Sequence, residues 1–176
     1  VCTPSRAGLM TGCYPKRVGL GRGSWGVVLF PKDTHGLNPE EKTIAEILKK
    51  EGYSTGCFGK WHLGDQPEFL PVNHGFDTYF GIPYSHDMWP KNPGSKNWKN
   101  GVCPLPVLQN DKVVDIVDSM DDQAKLCKRF TNKAIDFIQN NKDNPFFVYL
   151  PHCFIHNPQI ARQEFMDRAE GDARRA

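Results

Sequence analysis

The clearest helical pattern of hydrophobic positions lies at residues 38–52, NPEEKTIAEILKKEG. Asn38 is placed to cap this helix, Pro39 suits its first turn and Gly52 suits its end. The acidic pair after Pro39 also favours the positive end of the helix dipole. The side chains predicted to face the core are Ile44, Ile47 and Leu48.

Two further segments predict helices of different length. Residues 4–12 predict a short helix, in which Pro4 suits the first turn and Gly12 ends it. A long amphipathic helix is predicted from about Asp121 to Asn141, with acidic residues at its start. One face of this long helix carries Cys127, Phe130, Ala134, Phe137 and Ile138.

Strand patterns follow two of these helices. Residues 53–61 (YSTGCFGKW) predict a short strand, and the continuous apolar run at 145–151 (PFFVYLP) predicts a strand buried on both faces. Residues 65–118 are rich in Pro, Gly and Asn and predict long loops, with short strands around 105–108 and 112–117. This alternation predicts an α/β sheet with helices packed on it, in which sites gather at the carboxyl ends of strands.

Composition narrows the class of protein. The chain has 176 residues, of which 39% are hydrophobic, and this is enough for one domain. The formal net charge is +2 and the basic residues are spread along the chain, which argues against nucleic acid as a partner. No apolar stretch is long enough to span a membrane. The six cysteines form no C-x-x-C pair, so a zinc knuckle is not predicted, and disulfide pairs cannot be assigned.

Cys2 is the first candidate for chemistry. A lone cysteine is most often buried and inert. However, Cys2 directly precedes a predicted helix start and Arg6 lies one turn along, so unpaired N–H groups, the helix dipole and a fixed cation all favour an anion. A cysteine-dependent phosphatase is rejected, because the spacing from Cys2 to Arg6 is too short for a phosphate-binding loop.

Lys60 and His62, within FGKWHLG at 58–64, are the second candidate. Residues two apart on an extended chain point to the same face, so a cation and a titratable imidazole would share one end of the strand. Taken alone, the pair is better interpreted as a surface lysine and a histidine bonded to a loop.

Two loop segments carry further polar groups. In LPHCFIHNPQ, His152 and His156 have a spacing that suggests metal ligands on a helix, but prolines bracket them in a loop after a strand. One of these histidines facing a pocket is therefore the better functional interpretation. The YSHD stretch at 84–87 cannot form a catalytic triad by itself, because neighbours on a strand point to alternate faces, and turn residues are the better interpretation there.

Together these motifs resemble those of the type I, formylglycine-dependent sulfatases. CTPSRAGLMTG is similar to the family's first signature, FGKWHLG resembles the second, and GIPYSHD looks most like the arylsulfatase A branch. PFFVYLPHCFIHNPQ follows in the family's order. The resemblance implies an α/β, alkaline-phosphatase-like sandwich with a mostly parallel central sheet. Residues 1–176 would hold part of a single catalytic domain, with an upstream strand and a downstream portion elsewhere.

The resemblance also implies a sulfuric-ester hydrolase. In the family, a maturation enzyme oxidises the signature cysteine to formylglycine, whose hydrate carries two hydroxyls on one carbon. One hydroxyl attacks the sulfur of a sulfate ester, and the second then loses its proton and expels sulfate. A sulfated serine or cysteine lacks this route. The expected partners are the formylglycine-generating enzyme and a sulfated small molecule or glycan as substrate.

Catalytic and metal-binding roles carry over by this resemblance. Cys2 would be the nucleophile precursor, Arg6 would hold the aldehyde hydrate, and His62 would take the proton that triggers release. Cys2, as formylglycine, would also bind a divalent cation, usually Ca²⁺, whose other ligands are expected outside this chain. The adjacent Asp121 and Asp122 are better interpreted as residues at a helix start.

Substrate-binding roles carry over in the same way. Lys60 and Ser85 would bind sulfate oxygens, and His156 would face the bridging oxygen or the sulfate. The length of the LPHCFIHNP loop leaves His152 open as the alternative pocket histidine.

Two other interpretations stay open. One is a phosphonate monoester or phosphodiester hydrolase that uses the same formylglycine, and the other is a truncated, non-catalytic product. Because metal ligands are expected elsewhere, the 176 residues alone are expected to have little or no sulfatase activity. Members of the family are typically periplasmic, secreted or lysosomal, and this sequence does not choose among those compartments.

Overall fold

The computed structural model describes residues 1–22, 26–91 and 103–172, and the loop predictions that fall on 92–102 lie outside them. In chain order its elements are α1 (Cys2–Thr11), α2 (Ile44–Lys50), β1 (Ser54–Lys60), β2 (Thr78–Ile82), β3 (Leu105–Gln109), β4 (Lys112–Val117), α3 (Met120–Asn141), β5 (Phe146–Tyr149) and α4 (Gln163–Arg168). Two single-turn 3₁₀ helices, Pro67–Phe69 and Pro71–Asn73, lie between β1 and β2. None of the described helices is long and apolar enough to cross a membrane.

The five strands form one sheet in the order β4-β3-β2-β1-β5. Strand β1 pairs in parallel with β2 and with β5, whereas β3 runs antiparallel to both of its neighbours. All strands except β3 therefore point the same way, which confirms the predicted α/β class with a mostly parallel sheet. Strand β2 was missed, because its sequence TYFGI lies inside the segment that the Pro and Gly content marked as loop.

Hydrophobic side chains pack on both faces of this sheet. Cys57 and Tyr79 belong to one cluster, with Ala7 and Met10 of α1. Their chain neighbours Phe58 and Phe80 belong to a second cluster, which also holds α3 residues. Successive residues of a strand point to opposite faces, so β1 and β2 serve both clusters at once. The sheet is consequently covered on each side, as in a sandwich.

Helix α2 differs from its prediction at the start. It begins at Ile44, and its cap is Thr43, whose Oγ1 accepts from the Glu46 N–H at 3.2 Å while Glu46 Oε2 accepts from the Thr43 N–H at 2.9 Å. This reciprocal capping box satisfies two backbone donors and outcompetes the single bond that Asn38 could offer. Asn38 instead closes a turn, through Oδ1 and the N–H of Glu40 at 3.0 Å.

The predicted buried stripe of α2 was wrong for Ile44 and Ile47, whereas Leu48 is half-buried. Ile44 and Ile47 are 39% and 55% exposed, and Ala45 is the buried residue of this helix. Only Ala45 packs into the cluster that contains Cys57 and Trp61.

The other two predicted helices agree with the structure to within a few residues, whereas α4 was not predicted. Helix α1 begins at Cys2 itself, and Gly12 ends it with a left-handed φ of 68°. Helix α3 is capped by Ser119, whose Oγ accepts from the Asp122 N–H at 3.0 Å. Phe130 and Ala134 are buried on its inner face, as predicted. Ile138 of the same predicted face is 38% exposed.

Strand β5 is not buried on both faces. All four of its residues are only partly buried, because β5 pairs with β1 alone among the described strands. The continuous apolar run therefore predicted the strand correctly, but it wrongly predicted a central position in the sheet.

Two glycines allow the backbones around β1 to approach closely. Gly59 of β1 lies opposite Gly81 of β2. A Cβ on Gly81 would overlap the carbonyl group of Gly59, and a Cβ on Gly59 would overlap the carbonyl oxygen of Pro151. That same Pro151 oxygen accepts from the Lys60 N–H at 2.8 Å. The end of β1 is thus fixed by backbone contacts that admit no side chain.

We expect Gly81→Ala to destabilise the protein by at least about 2 kcal/mol, because the new methyl group must displace the β1 backbone. The measurement is the free energy of unfolding in denaturant. Gly8→Ala, within helix α1, is the matched control. A Cβ on Gly8 would meet only ordinary contacts, of which the nearest is the carbonyl oxygen of Cys13 at 3.4 Å. Equal stability of Gly81→Ala and Gly8→Ala would contradict the close approach.

Candidate active site

Helix α1 is fastened to the loops beside it by its second residue. Thr3 is fully buried, and its Oγ1 donates to the carbonyl of His62 at 3.1 Å and accepts from the N–H of Leu29 at 3.1 Å. The first turn of α1 is therefore held against the residues that follow β1. This contact places Cys2, the first residue of the helix, beside the carboxyl end of the sheet.

The buried side chain of Lys60 contacts both Cys2 and Ser85, and Ser85 lies just after the end of β2. The Lys60 side chain is 1% exposed, and its Nζ donates to Cys2 Sγ at 3.3 Å and to Ser85 Oγ at 2.8 Å. Burial lowers the pKa of Lys60, and the charge and hydrogen bond of Cys2 act in the opposite direction. The structure thus places a buried cation between two side chains that are distant in sequence.

Ser85 reaches this position because β1 and β2 are parallel neighbours. The carboxyl ends of parallel strands meet at the same edge of a sheet, and Ser85 comes three residues after Ile82, the end of β2. The N–H of Met88 donates to the carbonyl of Ser85 at 2.9 Å and closes a turn. YSHD is a turn, as interpreted from the sequence, and this turn delivers Ser85 to Lys60.

Arg6 clamps the ends of two strands. Its Nη1 donates to the carbonyl oxygen of Lys60, and to the hydroxyl of Tyr149 at 3.2 Å. Lys60 ends β1 and Tyr149 ends β5. The guanidinium therefore fixes the backbone that presents the Lys60 ammonium. Tyr149 was not predicted as part of this arrangement, because an aromatic residue in an apolar strand carries no signal of such a contact.

His62 presents one free nitrogen. Its Nε2 lies 2.9 Å from the Leu29 carbonyl, which can only accept, so Nε2 carries the hydrogen. Nδ1 is buried and has no hydrogen-bond partner among the described residues. Burial, followed by the charge of Lys60, lowers the pKa of His62 well below its usual value. His62 is thus neutral at neutral pH, with a lone pair on Nδ1.

A small pocket of about 140 Å³ lies next to these groups. Its volume suits a tetrahedral anion with its first attached atoms, since pockets for whole drug-sized ligands are several times larger. The residues that line it are Cys2, Val28, Phe30, His62, Ser85, Asp87, Met88 and His156. Val28 and Phe30 were not predicted, because the segment that holds them has no regular period.

The pocket contains His156 and not His152. Nδ1 of His156 lies 3.8 Å from Asp87 Oδ1. His152 instead lines a larger, mostly apolar groove of about 550 Å³ beside α3, together with Cys127. None of the six predicted site residues lines that groove. The structure therefore brings five of them to the pocket or its edge, with Arg6 behind them.

The described residues do not by themselves fit a Ca²⁺ site. One group of ligand atoms converges within 4.8 Å, on His86, Asp87 and His156. Two imidazoles and one carboxylate suit a transition metal, whereas Ca²⁺ takes six to eight oxygen ligands. The sequence had not indicated this group, since it joins YSHD to a loop about 70 residues later.

Comparison with known proteins gives this geometry a context. The sulfatase family model matches residues 1–173. The chain is 38% identical to human arylsulfatase A over 180 residues, covering 96% of this chain and 34% of the relative.

Solved structures agree with this match. A sulfatase from Pseudoalteromonas sp., PsFucS1, superposes with a TM-score of 0.78 at 25% identity, over 96% of this chain and 37% of that one. Ps i-CgsB in complex with k-i-k-neocarrahexaose superposes with a TM-score of 0.70 at 31% identity, over 94% of this chain and 37% of that one. These neighbours share the alkaline-phosphatase-like fold, of which the described sheet is a part. The chain spans about a third of the length of its curated relatives.

The buried neutral state of His62 predicts a specific acid sensitivity. In the unfolded chain His62 takes up a proton near pH 6.5, whereas the folded protein does not, so stability is lost as pH falls below that value. The control is His62→Gln, which keeps a donor for Leu29 but does not titrate. Between pH 7 and pH 5, the free energy of unfolding of the unaltered protein, measured in denaturant, should fall by about 2 kcal/mol more than that of this variant. His86, whose pKa burial lowers to about 4, contributes equally to both proteins. Identical losses in the two proteins would show that His62 is not buried as a neutral base.

Proposed function

The chain belongs to the sulfatase family, and from this premise we propose that its protein hydrolyses a sulfate ester with an aldehyde made from Cys2. The observation that carries the proposal is the convergence of Cys2, Lys60 and Ser85, with Lys60 Nζ within hydrogen-bonding distance of both partners. A cation and a hydroxyl donor at one pocket edge suit the oxygens of a sulfate group. The pocket volume agrees with a group of that size.

The site fits a formylglycine hydrate at position 2. When formed, the hydrate supplies two hydroxyls on one carbon, one to attack sulfur and one to release sulfate. His62 offers what such chemistry needs, because its buried Nδ1 has a lone pair and no partner among the described residues. We assign to His62 the acceptance of the hydrate proton at Nδ1. A hydroxyl at this position would also satisfy a polar atom whose burial is otherwise costly.

The remaining residues bind and orient the substrate. Lys60 and Ser85 hold sulfate oxygens and offset the charge that develops on them. His156 faces the bridging oxygen, at the side of the pocket where Asp87 lies. Arg6 acts behind the pocket, through its hydrogen bond to the Lys60 carbonyl, and keeps the ammonium in place. Here its role differs from the resemblance, which had Arg6 hold the hydrate.

We assign no step to Ca²⁺. No group of carboxylates that could hold it converges among the described residues, and we propose that a Ca²⁺ site in the whole protein takes its ligands beyond Cys2 from outside residues 1–176. For the same reason, residues 1–176 are proposed as part of one catalytic domain, and activity is proposed for the protein that contains them.

The substrate class is a sulfated glycan or small molecule. Ps i-CgsB has been solved with k-i-k-neocarrahexaose, and a glycan in that relative supports a glycan here. The proposed partner in maturation is a formylglycine-generating enzyme that acts on the Cys2–Arg6 segment.

The test of this function uses the full-length protein produced together with a maturation enzyme. Mass analysis of the peptide that contains residue 2 should show an aldehyde in place of the thiol. The same preparation should turn over an aryl sulfate faster than an aryl phosphodiester, and Cys2→Ala should turn over neither. An intact thiol in an active enzyme would overturn the mechanism. Preferred hydrolysis of the phosphodiester would favour the other reaction class.

Lys60→Met separates the function of the buried cation from its effect on stability. Met keeps much of the side-chain volume but removes a charge whose burial is unfavourable. We expect kcat/KM for an aryl sulfate to fall at least about 100-fold, while the thermal midpoint stays the same or rises. Lys112→Met, at an exposed position of β4, is the control and should change neither quantity. A marked loss of stability in Lys60→Met without loss of activity would mean that Lys60 serves the fold alone.

A further inference from the structure

Asp87 is an acid in the pocket for which no role was predicted from the sequence. It lines the pocket with Cys2, and its Oδ1 lies 3.8 Å from Nδ1 of His156. The Asp87 side chain is 22% exposed, so its charge is only partly screened by water.

The hydrogen bond of His156 fixes which nitrogen can react. Nδ1 lies 2.7 Å from the carbonyl oxygen of Asn157. A carbonyl only accepts, so Nδ1 carries a hydrogen. The nitrogen that can exchange a proton with a substrate is therefore Nε2.

The segments that carry Asp87 and His156 are fastened to each other through His86. His86 is fully buried, and its Nε2 donates to the carbonyl of Pro158 at 3.2 Å. Its ring packs edge-on against the ring of Phe154, with the two ring centroids 4.7 Å apart. Gln123 of α3 donates to the His86 carbonyl at 3.0 Å and holds the turn itself. Asp87 and His156 thus come from two segments whose relative position is set before any substrate binds.

Charges of both signs lie around the pocket that His156 lines, since Asp87 shares that lining and Lys60 contacts Cys2 and Ser85 at its edge. Lys60 already places a buried cation at the pocket edge, and a protonated imidazole nearby would be repelled by it. A carboxylate beside Nδ1 offsets that repulsion.

We propose that Asp87 is the positioning residue for proton donation by His156. This inference rests on the proposed function. When the bond between sulfur and the bridging oxygen breaks, its electron pair stays on that oxygen, which takes the proton from Nε2. The alcohol leaves neutral, His156 becomes neutral, and water later returns a proton to Nε2. Asp87 stabilises the imidazolium throughout and does not itself transfer a proton.

The leaving group provides a sharp test, because an acidic phenol departs without a proton whereas a basic alcohol needs one. Full-length protein and its Asp87→Asn variant are compared across aryl sulfates that range from nitrophenols to unactivated phenols. The expected loss in kcat/KM is less than about threefold for the nitrophenyl ester and at least about tenfold for the least acidic phenol. kcat/KM is the appropriate constant, since it reports the steps up to sulfuryl transfer.

Controls separate positioning from stability. Each comparison is a ratio between substrates on one preparation, so partial unfolding of Asp87→Asn cancels. Asp87→Glu should recover part of the loss for unactivated phenols. Asp118→Asn, whose side chain is 79% exposed and pairs with Lys91, should match the unaltered protein.

Two results would overturn the inference. Equal losses across the series would mean a structural role, and no loss at all would mean no role. Either result leaves sulfate-ester hydrolysis by the unaltered protein intact. Failure of the unaltered protein to hydrolyse even the nitrophenyl ester would instead refute the proposed function and this inference with it.

Discussion

One buried ammonium group constrains the arrangement of this molecule. Moving a lysine charge out of water is costly, and the fold accepts it only because Nζ finds Cys2 and Ser85 at hydrogen-bonding distance. Those partners come from the start of α1 and from the turn after β2. The start of one helix and the ends of two strands must therefore meet at one point. A site that holds a cation in advance suits a reaction in which negative charge shifts between oxygens.

The contacts around Lys60 bring the helix start and the two strand ends together. Gly59 and Gly81 let the backbones of β1 and β2 approach, and Thr3 ties α1 to the residues after β1. Arg6 then holds the carbonyl of Lys60 itself. Each of these contacts involves the backbone, whose geometry tolerates little variation. The signature residues thus serve the fold as well as the chemistry.

Local sequence patterns predicted where helices and strands lie, but not the features that depend on contacts between distant segments. Gly12, the long face of α3 and the strand before Lys60 follow from local periodicity and turn chemistry, and they were predicted to within a few residues. Strand β2 and the start of α2 were not, because neighbouring strands and a capping box decided them. Single motifs left Lys60 and Ser85 as surface and turn residues. Their meeting depends on parallel strand pairing, which no local pattern contains, so only the combined resemblance joined them.

The most direct measurement of the central claim uses Cys2→Ser in the full-length protein with an excess of aryl sulfate. A serine can attack sulfur but has no second hydroxyl on the same carbon to expel sulfate. The account predicts release of phenol equal to the amount of enzyme, then arrest, with sulfate found on the residue-2 peptide. Steady turnover, or phenol release without a sulfated peptide, would contradict nucleophilic attack from position 2.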